Sequence, residues 1–474
     1  MSVWPNSDRN SSPEVCVLGG GPAGAATALR LAQLGHRVCL VERGTAVHVP
    51  AGESMPPSLW PVLGLLGLRA RVAAAGFLPA PPARVCWPGL PAVAHGMAPP
   101  PGARSGAPGG LQVDRAHFDA VLLQAAADAG VVIVRDSARE PDPTAHGWRV
   151  HVRQGHAIDV PVVVDARGRR GAPTAAYTVA LVATWQGGAA AADTQTVVEA
   201  GAQGWAWTAP LGDGRTVVAV FLDASHCAGL RAVGRQALYG QQLQALPSVW
   251  AQLQGAQAGP VAAADATPRT VDDAAPQPGL LRVGEAAFSL DPLSSQGVPA
   301  ALRSAWQAAA CVHTALRRPE QAALAWQFHR QQSRRAAQRH ARLAAPYYTT
   351  AAQAAAHGDA DTFWRSRAQA DAAPVPPPWP PLQAAIGLHP QADWLDTPVL
   401  EGDWVVPRPA LHHPQLETPL AYLAGRPAAD WLQALQGAPR LHVLLDRWHQ
   451  AFGADRTEAV WPLLWRQGVL QARS

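Results

Sequence analysis

The sequence predicts an α/β (α+β) chain, and three observations carry that prediction. A four-residue apolar run, Val15-Cys-Val-Leu18, feeds a glycine-rich turn, a helical stretch and a second apolar run that ends at Glu42. Short runs rich in β-branched residues then recur through the first 300 residues, separated by turn formers. Finally, a Pro-rich stretch at residues 371–381, DAAPVPPPWPP, marks off a last segment of different composition. At about 100–200 residues per domain, 474 residues make two or three domains.

The opening run is strand, turn, helix and strand within about 30 residues, a βαβ unit. Its turn reads Gly19-x-Gly21-x-x-Gly24, with Pro22 and Ala23 opening the helix. Glycines suit the tight turn, the close approach of backbone to a pyrophosphate and the packing of helix on strand. Free N–H groups and the helix dipole favour an anion there. Glu42 ends the second strand, 18 residues beyond Gly24, where an acid can accept hydrogen bonds from a ribose; Arg43 follows it. The unit is therefore read as a Rossmann-type dinucleotide site.

Residues 78–110 show little periodicity and are expected to form loops and short strands. A helix is expected over 114–127, then a strand at VVIVRD, with further strands at 148–152, 160–164 and 216–222. A strand at 280–283 leads through GEAAFSLDPLSSQG into one long helical region from 298 to about 344, closed by Tyr347 and Tyr348. Arg330, Arg334, Arg335, Arg339 and Arg342 fall at helical spacing and are read as a solvated face. Beyond the Pro-rich stretch, 382–474 reads as a small separate domain whose end, TEAVWPLLWRQGVL, is helix then strand.

Composition excludes several chemistries. All 38 basic residues are Arg; the chain has no lysine. A lysine Schiff base, a P-loop lysine and a lysine general acid are ruled out. A net charge of +4 over this length argues against nucleic acid. The five Cys are widely spaced with no CxxC, which fits a reducing compartment and no zinc knuckle. Cys16 and Cys39 sit in apolar runs as buried small hydrophobes. The first residues lack a signal-peptide pattern, no run approaches 18 apolar residues, and no metal site is visible, so a cytoplasmic chain is expected.

Three later segments extend the first motif. Asp165-Ala-Arg-Gly168 ends a strand, Gly284-Glu-Ala-Ala287 follows another, and Asp291-Pro292 through Gly297-Val298 leads into the long helix. In this order they resemble the FAD-dependent monooxygenases of the para-hydroxybenzoate hydroxylase fold. The resemblance implies a Rossmann-type FAD-binding domain with an inserted antiparallel-sheet substrate domain and a small C-terminal domain. It divides a 14–370 core into FAD-binding parts at about 14–60, 110–175 and 275–345 and a substrate sheet at about 61–110 and 176–274. It also implies that Gly284 and its neighbours touch the flavin ribityl and ribose, and that the helix N-terminus at Gly297 faces the isoalloxazine. A helix N-terminus there stabilises the negative charge of reduced flavin. Glu285 stands where the family has Asp, one methylene longer. Arg115 in DRAHFDAVLL matches the family's DRxxFDxxL helix start and would sit beside the pyrophosphate. No second GxGxxG unit is present for NADPH, so electrons would come from transiently bound NAD(P)H or a partner flavin reductase.

Ala51-Gly-Glu-Ser-Met-Pro-Pro57 and Gly204-Trp-Ala-Trp-Thr-Ala-Pro-Leu211 resemble elements of flavin-dependent halogenases, with Ala209 where those have Ile. Such halogenases hold hypohalous acid with a lysine, by hydrogen bond or as a chloramine, and Arg cannot supply that neutral amine. Over roughly residues 14–310 the chain resembles the flavoproteins that mature tryptophylquinone cofactors, which accompany lysine and glycine oxidases and quinohaemoprotein amine dehydrogenase. That resemblance implies hydroxylation of a tryptophan side chain in a partner protein or peptide, with O2 as co-substrate, through a flavin C4a-hydroperoxide. The pocket residues it points to are Glu53, Ser54, Trp205, Trp207, Pro292 and Ser295. Alternative readings are hydroxylation or halogenation of a free aromatic metabolite, and a non-catalytic chaperone derived from a flavoprotein. Residues 382–474 would be a winged-helix-like docking domain for the partner or a lid over the FAD domain.

Overall fold

The structure is a computed structural model. It describes residues 12–44, 52–89, 93–95, 109–155, 157–169, 172–173, 176–188, 195–271, 277–354, 362–368, 377–437 and 439–473. The chain divides into two compact units: Met1–His313 with Gln332–Gln369, and Thr314–Gln331 with Ala370–Ser474. No helix among the described residues is long and apolar enough to cross a membrane.

A five-stranded parallel sheet anchors the first unit, in the order Leu280–Arg282, Val162–Asp165, Val15–Leu18, Val38–Glu42, Val132–Arg135. Its strands are near-continuous apolar runs because both faces are covered. One face carries Cys16, Leu18, Cys39, Val41 and Val163, which pack with Trp148, Val150 and Val160 of a three-stranded antiparallel sheet. The central strand, Val15–Leu18, ends at the glycine turn, so everything built on that turn lies at the carboxyl edge of the sheet.

The strand expected at 160–164 is two strands. Val160 ends antiparallel Ala157–Val160, Pro161 intervenes, and Val162–Asp165 joins the parallel sheet. Proline cannot donate to a ladder, so the chain changes sheets there.

A larger, mostly antiparallel sheet is built around Thr178–Gly187, Arg215–Asp223, Gly204–Pro210 and Val197–Ala200, in that spatial order. Alternation along Arg215–Asp223 serves two cores at once. Val217, Ala219 and Phe221 face one aromatic cluster. Val218, Val220 and Leu222 face helices Ala232–Gln244 and Pro247–Gln252, through Tyr239, Leu243 and Val249.

The long helical region after residue 297 is two helices, not one: Gly297–Arg317 and Ala322–Ala354. Pro319 opens a short 3-10 turn, Pro319–Gln321, between them, and Arg318 before it takes an extended φ of −136°. The second helix continues ten residues past Ala344. Tyr347 and Tyr348 lie inside it rather than closing it. Of the expected solvated Arg face, Arg334, Arg339 and Arg342 are exposed, while Arg330 and Arg335 are half-buried.

The second unit has its own core of Trp431, Trp448, Trp465, Leu444, Leu464 and Ile386. A long hairpin, Asp393–Glu401 with Trp404–His412, precedes helices Ala428–Gln433, Leu441–Phe452 and Ala454–Arg466. Strand Leu470–Arg473 then pairs with Ala385–Leu388. Of the Pro-rich stretch 371–381, residues 371–376 lie outside the described residues. Pro378 accepts a hydrogen bond from Trp465 Nε1 at 3.1 Å, and Trp379 packs on Trp461.

Candidate functional site

The glycine turn is shaped by what each Cβ would meet. A Cβ on Gly19 (φ +101°) would lie 2.6 Å from the Ala166 carbonyl oxygen, and one on Gly24 would lie 1.9 Å from the Gly19 carbonyl oxygen. Gly24 thus lets helix Pro22–Gln33 sit against the central strand. Gly21 is different: nothing stands within 4 Å of its Cβ position. The turn therefore presents bare backbone to open space at the helix N-terminus, with Pro22 at the first helical position and Ala23 buried behind it. Glu42 accepts a hydrogen bond from the Gly20 N–H, which fixes its carboxylate across the mouth of the turn. Arg43 beside it is exposed.

The segment starting at Gly284 closes onto this turn. Gly284 has φ +56°, and a Cβ on it would sit 2.6 Å from Ala23 Cβ. Only glycine lets that 3-10 turn rest on the helix start, so the two segments expected to share one cofactor do meet. Glu285 is exposed and ion-paired with Arg169 at 3.1 Å. Asp165 is buried and engaged by Arg167 at 2.8 Å; Arg167 also reaches Glu140. Its position at the strand end is the expected one, but its carboxylate serves Arg167.

Arg115 opens helix Arg115–Asp128, whose N-cap, Asp114, accepts from the Ala116 N–H at 2.9 Å. The Arg115 guanidinium donates to Glu53 and, through two nitrogens at 3.1 Å each, to Asp119. Burial works against its charge, but the two carboxylates outweigh that and hold its pKa up. Burial pushes the Glu53 carboxyl above its ordinary range, opposed by Arg115. This bare-backbone turn, placed carboxylate and fixed cation fit a dinucleotide such as FAD.

The six expected pocket residues fall into four places. Glu53 belongs to the Arg115 charge cluster. Ser54 is buried and hydrogen-bonded to Gln112 and Thr196, which ties strand Gly52–Met55 to its neighbours. Trp205 and Trp207 project to one face of strand Gly204–Pro210 and join a single aromatic cluster with Trp87, Phe221, Tyr348, Phe363 and Trp364. Trp205 stacks on Phe221 with ring centroids 4.0 Å apart. Pro292 begins a 3-10 turn, Pro292–Ser294, and Leu293 packs against the cluster. Ser295 ends that turn at φ +48°, an uncommon conformation for a non-glycine residue, immediately before the helix at Gly297 and Val298. The Gln296 side chain accepts from Ser58 and Arg303, at 3.3 Å each.

Asp291 belongs to the segment read as cofactor-binding, and its carboxylate accepts the Tyr348 phenol at 2.9 and 3.1 Å and the Leu293 N–H at 2.9 Å. Burial pushes its carboxyl up, partly offset by those hydrogen bonds and by Arg367. Arg367 is buried and donates to Thr178 Oγ1, to the Tyr177 carbonyl and to Asp223. Tyr348 and Arg367 escaped sequence reasoning. The one signal was a Tyr pair interrupting an Ala-rich helix.

A family profile described as FAD dependent oxidoreductase matches residues 14–54, and one described as tryptophan halogenase matches residues 71–376. The chain is 27% identical to the flavin-dependent halogenase armH4 of Armillaria mellea, over 67% of this chain and 68% of that protein. It is 30% identical to the putative FAD-dependent oxidoreductase LodB of Marinomonas mediterranea, over 62% of this chain and 83% of that one. It spans between 45% and 68% of the length of the halogenases it matches. Among solved structures it is similar to QhpG, a peptidyl tryptophan dihydroxylase essential for tryptophylquinone cofactor biogenesis. The TM-score is 0.71 at 28% identity, covering 96% of this chain and 99% of that one.

Proposed function

This chain belongs to the tryptophan halogenase family of flavin-dependent oxidoreductases, and on that premise we propose that it hydroxylates a tryptophan side chain in a partner protein or peptide. FAD is the cofactor, O2 the co-substrate, and NAD(P)H or a partner flavin reductase the electron source. The observation that carries oxygenation over halogenation is the absence of lysine: 38 basic residues, all Arg. Without a lysine there is no side-chain amine to hold hypohalous acid, and a guanidinium does not lose its proton to become one. Likeness to QhpG across nearly the whole chain supports a peptidyl tryptophan as substrate and a role in quinone-cofactor biogenesis.

Bound FAD supplies the activation of O2 and its transfer. The protein's share is binding, orientation and exclusion of water. The Gly19–Gly24 turn and the helix N-terminus hold a pyrophosphate, and Glu42 a ribose. Arg115 stays charged and is held in place between Glu53 and Asp119. Trp205, Trp207, Trp87 and Leu293 make an apolar wall suited to an indole ring and hostile to water, which protects reactive oxygen from loss.

The test is to purify the yellow protein and supply NAD(P)H, with and without a flavin reductase, in air with halide present. A Trp-bearing peptide and free tryptophan are offered in separate reactions and read by mass spectrometry. Added oxygen on the peptide Trp is expected. A halogen isotope pattern overturns the reading. The halogenase names among the relatives favour one second reading, modification of a free aromatic metabolite, and oxygen on free tryptophan alone would select it.

A further inference from the structure

The carboxylates around the cofactor turn are largely committed to cations. Asp165 is paired with Arg167, and Glu53 and Asp119 with Arg115. Asp291 is not. Its hydrogen-bond partners among the described residues are the Leu293 N–H and the Tyr348 phenol. It stands between two parts of the site. On the chain it lies seven residues after Gly284, which rests on the start of helix Pro22–Gln33, and six before the helix at Gly297. In space its phenol partner belongs to the aromatic cluster of Trp87, Trp205, Phe363 and Trp364. Trp205 Nε1 is buried in that cluster and makes no hydrogen bond of ordinary geometry. The arrangement is a carboxylate without a cation partner, at the edge of an aromatic cluster, beside the turn that precedes the expected flavin-facing helix.

We propose that Asp291, positioned by Tyr348, is the proton acceptor that restores aromaticity to the substrate ring after oxygen transfer. The inference rests on the hydroxylase reading above. Oxygen transfer to an indole carbon leaves a ring cation that still carries the displaced hydrogen. The C–H bond breaks, its electron pair returns to the ring, and the proton goes to Asp291. The full balance is ArH + O2 + NAD(P)H + H⁺ giving ArOH + H2O + NAD(P)⁺, with Asp291 returning its proton to solvent.

Burial raises the pKa of this acid, while the Leu293 N–H, the Tyr348 phenol from helix Ala322–Ala354, and Arg367, which follows the short helix Thr362–Arg365, lower it. Tyr348 itself is held protonated by burial and by the adjacent carboxylate, so it remains a donor. Burial that makes a carboxylate more basic makes it a better proton acceptor.

Asp291→Asn keeps the size of the side chain and both acceptor contacts at the amide oxygen, so the fold and FAD content are expected to persist. Peptide hydroxylation should fall by about 100-fold or more. Tyr348→Phe removes a bond that stabilises the carboxylate. The Asp291 pKa therefore rises, and the acid limb of the kcat–pH profile moves to higher pH. Infrared titration supplies a readout independent of turnover. The carboxyl band lost in Asp291→Asn should titrate above the ordinary Asp range, and higher still in Tyr348→Phe. Hydroxylation by Asp291→Asn within about threefold of wild type, or an acid limb unmoved by Tyr348→Phe, overturns the assignment. Wild-type protein that binds FAD and never oxygenates the peptide overturns the hydroxylase reading and this assignment with it.

Discussion

Gly21 and Gly24 stand three residues apart and answer to different constraints. Gly24 is a glycine for the protein's sake, since a methyl there would enter the Gly19 carbonyl oxygen. Gly21 has open space at its Cβ position, so the protein's own packing does not require a glycine there. Gly21→Ala should leave the melting temperature of the FAD-free protein nearly unchanged and weaken FAD binding by about tenfold or more, one methyl now blocking the pyrophosphate's approach to the backbone. Gly24→Ala should lower both. Fluorescence-monitored melting and flavin titration separate the two, and equal losses in both variants would contradict the account. These residues were legible in the sequence because a phosphate-binding turn dictates residue type at fixed spacing. The Asp291–Tyr348 pair was not, because it joins positions 57 residues apart through packing that no local pattern encodes.

Elements show where local chemistry overrides pattern. Pro161 and Pro319 split what composition read as one strand and one helix, and both splits follow from the missing N–H of proline. Helix Ala322–Ala354 carries His340, which is buried beside Arg303 and Arg339. Burial, then those two cations, lowers its pKa to about 4 from the usual 6.5. The unfolded chain therefore takes up a proton below pH 6.5 that the folded chain refuses until about pH 4. Stability should fall as pH drops through that window. Urea midpoints measured across it should decline less steeply in His340→Gln than in wild type. Parallel declines would remove His340 from the explanation. On the other side of the aromatic cluster, Arg367 ties the turn Thr362–Arg365 to the large sheet through Thr178, Tyr177 and Asp223. Arg367→Met should cost about 3 kcal/mol in urea unfolding, because it strands buried acceptors. A loss under about 1 kcal/mol would mean that water replaces the guanidinium.

At the scale of the molecule, the βαβ start, its glycine turn and the Gly284 segment were readable from residue 15 onward, and the parallel sheet they imply is present. The inner logic of the large sheet was less readable. Arg215–Asp223 is apolar on both faces, and periodicity alone cannot say which side chains meet the aromatic cluster and which the helices. Glu53 and Ser54, neighbours in one motif, part company in the fold: one enters a charge cluster and the other a buried hydrogen-bond set. The feature that speaks most directly to chemistry belongs to no site at all. A chain of the halogenase family that contains no lysine lacks the amine that its halogenating relatives are expected to use.

The central claim is therefore tested by turnover in 18O2 with bromide in excess, on a peptide bearing the target tryptophan, read by mass spectrometry. The account predicts 18O on the indole and no bromine. A bromine doublet on the indole, with or without oxygen, would contradict it.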